Sequence, residues 1–227
     1  MRMVFAFVLL TACAVRPLTD AELAFSDTVL GPALDTTDVR ITRGAVVGLL
    51  PATVRPRPRD TCRARLSPPL TEPRKGTFPA MAIGETIFYT RKFWSDDFLS
   101  DYPEAMDLRE AMRLAHELTH AWQWQARAVT GYHPLRASME HIEKDDPYLV
   151  DIDPERPFLD YGYEQQGVIV EEFVCCRALD PDARRTDELH ALVTQVFPGA
   201  ARRIDTPKGG IRIRWKDAQT DGICSHG

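Results

Sequence analysis

Apolar residues recur at helical spacing through Leu108, Ala111, Ala115, Leu118 and Trp122, the rhythm of a helix that buries one stripe. Asp107 stands before the stripe as an N-cap, and Glu110 follows as its capping-box partner, so the pattern predicts a helix from Asp107 to about Val129. A second helix, from about Tyr163 to Leu179, stops before Asp180-Pro181, which opens a third with a core face of Leu189, Leu192, Val193 and Val196. Nearer the start, Thr19 with Asp20 and Glu22 predicts the capped beginning of a helix that runs to about Leu30, where Gly31-Pro32 halts it.

Strand-like content marks Val39-Arg40-Ile41, Ala45 to Leu50 and one strand from Met81 to Thr90, rich in β-branched and aromatic residues. Ile211 to Trp215 alternates as an edge strand. Residues 51–79, dense in proline and arginine, and residues 131–160, with Pro134, Pro147, Pro154 and Pro157, follow neither period and read as irregular. A chain of 227 residues sustains one hydrophobic core. The elements predict a single α+β domain over residues 19–227, mostly helical, with a small β-sheet and a long Pro-rich irregular segment.

The first residues stand apart from that domain. Arg2 precedes an apolar run from Met3 to Leu10, too short to span a bilayer but suited to a secretory signal over residues 1–12. Leu10-Thr11-Ala12-Cys13 resembles a bacterial lipobox, which implies a lipid on the Cys13 thiol, residues 13–18 as a tether, and a membrane partner reached through that lipid. The other reading is an ordinary cleaved signal with a chance cysteine. Either places the protein outside the cytoplasm; the lipid reading places it in the cell envelope, in the periplasm or, with Ala14 after the cysteine, at the outer membrane. An oxidising compartment suits disulfides among Cys62, Cys175, Cys176 and Cys224. Neighbours in sequence rarely bridge each other, so Cys62 and Cys224 are expected to reach Cys175 and Cys176, one each, in either order. The net charge of -5 and the absence of a basic block exclude a nucleic-acid footprint.

The strongest chemical signal is His116-Glu117-Leu118-Thr119-His120, an H-E-x-x-H inside the predicted long helix. Imidazoles at i and i+4 share a face about 6 Å apart along the axis, so both reach one Zn²⁺. Glu117 projects beside the metal, where a carboxylate can take a proton from bound water. A third ligand must come from elsewhere, because Gln123 and Ala126 occupy the places where a metzincin has its glycine and third histidine. Glu164 and Glu171 lie on one face of the second helix about 10 Å apart, so only one can ligate the same ion. Glu164 is preferred because the small Gly167 one turn on lets the two helices approach. Glu171 is the alternative ligand, or a partner that orients a ligand histidine. Tyr161 and Tyr163, with His133 and His141, are the candidate donors to a developing oxyanion.

At these residues, H-E-L-T-H followed by tryptophan and glutamines and then Glu164-Gln165-Gln166 before an apolar stretch and the acidic pair Glu171-Glu172, the chain resembles the vgr-related proteins and the zinc metallopeptidase domain associated with extracellular contractile injection systems. Leu18-Thr19-x-x-Glu22, Val39-Arg40-Ile41 and Ile87-Phe88-Tyr89 extend the likeness upstream. The resemblance implies a zincin-like core, His116, His120 and Glu164 as zinc ligands in a gluzincin-like set, Glu117 as the catalytic base, and a peptide or protein substrate in the envelope. Gly167, the proline-rich segment and the four cysteines depart from that pattern. The expected function is a zinc-dependent peptidase; the alternative is a catalytically inactive, lipid-anchored zincin-like scaffold.

Overall fold

In the computed structural model, which describes residues 15–44, 51–143, 145–153 and 155–225, local sequence signals become an α+β fold. The expected signal peptide, Cys13 and the expected strand Ala45 to Leu50 lie outside these residues. Residues 15–18 are not a free tether. Val15–Arg16 form strand β1, the Arg16 guanidinium donates to both oxygens of Glu22 at 2.7 and 2.8 Å, and Leu18 is buried. Glu22 also completes a capping box with Thr19 at the start of α1 (Asp20–Val29).

β2 (Arg40–Arg43) is followed by the proline-rich stretch, which is more ordered than its composition predicts. β3 (Pro51–Val54) pairs antiparallel with β4 (Arg74–Thr77), and a four-residue helix α2 (Cys62–Arg65) lies between them. Thr61 Oγ1 caps α2 by accepting from Ala64 N at 3.2 Å. The expected long strand Met81 to Thr90 is a hairpin instead: β5 (Ala80–Ile83) turns at Gly84, whose φ of 60° suits glycine, into β6 (Thr86–Tyr89). Alternation continues through so tight a turn, which is why two strands read as one. The main sheet has the order β1-β2-β6-β5, with β2 and β6 parallel and the outer pairs antiparallel.

β7 (Met106–Asp107) leads into α3 (Leu108–Gln125), capped by Asp107 as expected. Glu110 does not reach back to complete a capping box; its carboxylate is drawn to Arg113 and Arg214. The helix ends at Gln125 rather than Val129, and a short α4 (Arg127–Thr130) follows, closed by Gly131 at φ 65°. The region read as irregular holds α5 (Pro134–Glu143): Pro134 takes the first helical position, where its missing N–H costs nothing. α6 (Tyr163–Leu179) and α7 (Arg184–Val193) follow. The tail contributes only β8 (Ile211–Arg212), parallel to β7, because Arg214 turns to Asp107 and Glu110.

α3 is the centre of the molecule, packed between α6, the β5-β6 hairpin and α1, and buried on almost every side. Leu108, Ala111, Ala115, Leu118 and Trp122 all lie in the core, as the spacing required. Two disulfides staple α6 to distant chain, Cys62–Cys175 to α2 and Cys176–Cys224 to the C-terminal turn. Between them the fully buried Arg177 guanidinium donates to Thr28 O at 2.7 Å and Ala201 O at 3.0 Å and sits against the Phe25 and Phe173 rings. Burial lowers its pKa to about 10. Among the described residues no helix is long and apolar enough to cross a membrane.

Candidate metal centre

His116 and His120 lie one turn apart on α3, and Glu164 stands in the first turn of α6. The two Nε2 atoms are 3.1 Å apart, and Glu164 Oε2 is 3.1 Å from that of His116 and 3.4 Å from that of His120. Ligand atoms about 2.0–2.1 Å from a tetrahedral zinc are about 3.3 Å from one another. The three atoms therefore have the spacing of one face of such a site, and the donor set of two imidazoles and a carboxylate suits zinc. All three residues are buried.

His120 and Glu164 are each held by a hydrogen bond from outside, and His116 lies beside a second carboxylate. His120 Nδ1 lies 2.8 Å from Gln123 Oε1, while Gln123 Nε2 donates to Tyr163 O at 3.0 Å and Gln166 Oε1 at 2.9 Å. The amide is thereby oriented to accept, which places the proton on Nδ1 and leaves Nε2 a lone pair for the centre. Glu164 Oε1, turned away from the histidines, lies 2.8 Å from His141 Nε2. His116 Nδ1 faces Glu171 Oε1 across 3.3 Å, and the other Glu171 oxygen accepts from Arg63 at 2.8 Å. The two carboxylates thus occupy opposite sides of the His116 ring: Glu164 faces both Nε2 atoms, and Glu171 stands behind.

Gly167 makes room for this. A Cβ there would lie 2.7 Å from His116 Cε1 and 2.8 Å from Nδ1. The departure from the resembled pattern has a local cause, since the ring occupies the volume a methyl would need.

The electrostatics set burial against the pairing of imidazoles with carboxylates. Burial pulls the His116 pKa down, but the hydrogen bonds and charges of Glu164 and Glu171 outweigh it and raise it to about 10. His120 is raised in the same way, burial being outweighed mainly by Glu164. Burial opposes ionisation of Glu164 and Glu171, yet His120 and His116 hold the first well below the carboxylate range, and Arg63 and His116 bring the second to about 2. Glu117, beside the histidines in sequence, is raised by burial, and its Oε2 is buried without a hydrogen-bond partner. The Tyr89 hydroxyl is likewise unpartnered, and burial together with the Glu117 charge holds its pKa well above the ordinary phenol.

The tyrosines proposed as oxyanion donors are not aimed at this centre. Tyr161 OH donates to Asp153 O at 2.9 Å within the segment before α6, and Tyr163 OH to Gly131 O at 2.7 Å, fastening the end of α4 to α6. His133 Nδ1 accepts from Leu135 N at the start of α5. The aromatic ring that does approach is Tyr148, 6.0 Å from the His116 ring and 5.8 Å from that of His141. Gln123, Arg63 and Tyr148 contribute as well. Gln123 is legible in principle, three residues from His120 on the same face; Arg63, in a helix of four residues, and Tyr148, in a loop, carry no periodic signal. Surface hollows of about 390 Å³, lined by residues such as Arg59 and Trp215, and of about 230 Å³, lined by residues such as Phe93 and Arg214, share no residue with the centre.

No protein-family model matches the chain, and no curated protein does. Among solved structures it is similar to the effector domain of Pseudomonas aeruginosa VgrG2b, with 20% sequence identity, 82% of this chain and 84% of that chain covered, and a TM-score of 0.48.

Proposed function

We propose that the protein is a zinc-dependent hydrolase of peptide bonds in which His116, His120 and Glu164 hold the ion and Glu117 is the general base. The observation that carries this reading is the ligand-spaced triangle of Nε2, Nε2 and Oε2 atoms, with His120 and Glu164 each held by a separate hydrogen-bond partner. Zinc, when bound, supplies a Lewis acid that polarises a carbonyl and acidifies water. Glu117 would take the proton of the attacking water as its oxygen bonds to the carbonyl carbon, and would give that proton to the amine nitrogen as the C–N bond breaks. Its unpartnered oxygen is free for the task. β5 supports a peptide substrate. It is an edge strand beside α3, paired only with β6 among the described residues, and an open edge accepts an extended chain by backbone hydrogen bonds. The substrate is then an envelope peptide or protein, reached by a chain anchored through a lipid on Cys13.

The test is metal analysis of the purified protein beside His120→Ala, with turnover of a peptide library by wild type and Glu117→Gln. Expected are bound zinc in wild type, its loss in H120A, and in E117Q retained zinc with turnover reduced by about 10²–10⁴-fold. Wild type without zinc affinity would refute the reading, and full turnover by E117Q would refute the role of Glu117.

Burial of the trio behind His141 and Tyr148 favours a second reading, a catalytically silent zincin-like scaffold. It predicts zinc binding with no turnover in wild type.

A further inference from the structure

α2 has four residues, far too few to hold a helix without outside support. α6 fixes its first residues, while Arg65 at its end donates to Ile223 O at 3.0 Å. Cys62 is bonded to Cys175, and the buried Glu172 carboxylate accepts from Cys62 N at 2.6 Å and Arg63 N at 3.1 Å. So placed, Arg63 donates to Glu171 Oε2 at 2.8 Å and to Tyr148 O at 3.3 Å, with its side chain only 22% exposed. The remaining Glu171 oxygen faces His116 Nδ1. A run of contacts thus leads from the disulfide through Arg63 and Glu171 to a proposed metal ligand.

We infer that Arg63 is a positioning residue for the metal centre, held by the Cys62–Cys175 disulfide, so that zinc affinity depends on that bond and not on Cys176–Cys224. This rests on the zinc reading given above. The physical reason is that Glu171 has two uses. The Glu171 oxygen lies 3.3 Å from His116 Nδ1 as a charge contact without a hydrogen bond; a carboxylate so placed orients the ring by its charge, whereas one that swings away leaves the ring free to turn. The guanidinium fixes one Glu171 oxygen and thereby commits the other to His116. Tyr148, whose backbone the same guanidinium grips, is fixed beside the ring. The second disulfide joins α6 to the turn where Cys224 N donates to Asp180 Oδ2 at 3.1 Å, and among the described residues it supplies no partner to Glu171 or His116.

The experiment measures zinc affinity by competition with a chromogenic chelator on the whole oxidised chain, with circular dichroism of each zinc-free variant. Arg63→Met should weaken zinc binding about 10-fold, the lower end of what loss of such support costs, with the helical spectrum unchanged. Arg63→Lys should recover part of that loss by restoring the charge. In a Glu171→Gln background, Arg63→Met should add nothing, because Arg63 acts through Glu171. The pair C62S/C175S should weaken binding by a similar factor and C176S/C224S should leave it unchanged. Wild-type affinity in R63M, or an equal loss from R63M in both backgrounds, overturns the inference, as does a larger effect from removing Cys176–Cys224. Because R63M retains both disulfides, it decides the matter even where a serine pair does not fold. Wild type that binds no zinc strikes the metal reading instead.

Discussion

A methyl group on Gly167 would come within 2.7 Å of the His116 ring, closer than carbon atoms approach unless one of them moves. The ring is held between Glu164 and Glu171 and has nowhere equivalent to go. Gly167→Ala should therefore weaken zinc binding about 10-fold or more and destabilise the zinc-free fold by about 1–3 kcal/mol through overpacking. A zinc titration and a urea unfolding curve check the two effects, and an unchanged affinity would show that the ring yields. His116, Glu117 and His120 were legible in the sequence because the geometry of i and i+4 on a helix is local and needs no tertiary information. The tyrosine roles were not, because a hydroxyl's direction depends on whichever carbonyl the fold brings within reach, here those of Asp153 and Gly131.

α5 shows how a helix escapes detection. Its inward residues are polar: Glu140 accepts from Tyr163 N at 2.9 Å and Glu164 N at 3.2 Å, and His141 meets Glu164. Leu135, Met139 and Ile142 face outward. That is the reverse of the pattern by which amphipathic helices are recognised, and Pro134 at its start looked like a breaker. The Glu140 carboxylate supplies the cap that Gly162, lacking a side chain, does not give α6. Glu140→Ala should cost about 1 kcal/mol, the usual value of a lost cap, and should speed amide exchange at Tyr163 and Glu164. Exchange at wild-type rates would mean that the first turn of α6 is held by other contacts. The β5-β6 hairpin and β3 were missed for related reasons: one glycine in the left-handed region turns the chain without interrupting the alternation, and Pro51 is tolerated at the end of a two-stranded sheet.

Zinc would join α3 to α6 at the centre of the molecule, so its binding energy should appear in the stability of the entire domain. At a free zinc concentration about 100-fold above Kd the stabilisation is about 2.7 kcal/mol, which for a domain of this size raises Tm by about 5–10 °C. Calorimetry with and without chelator measures it, and a Tm indifferent to zinc would contradict a site shared by the two helices. The sequence alone settled whatever depends on neighbours within a turn or two: the N-cap and buried stripe of α3, the histidine pair with its glutamate, the span of α6, and the capped start of α1. Tertiary structure decided the rest, because it depends on which distant segments meet. It set Glu164 and Glu171 on opposite sides of one imidazole, brought His141 and Arg63 to them, and paired Cys62 with Cys175 and Cys176 with Cys224. No periodicity encodes these pairings: the placing of two carboxylates around one imidazole follows from the close approach of α3 and α6 at Gly167, and the disulfides from where α2 and the C-terminal turn meet α6.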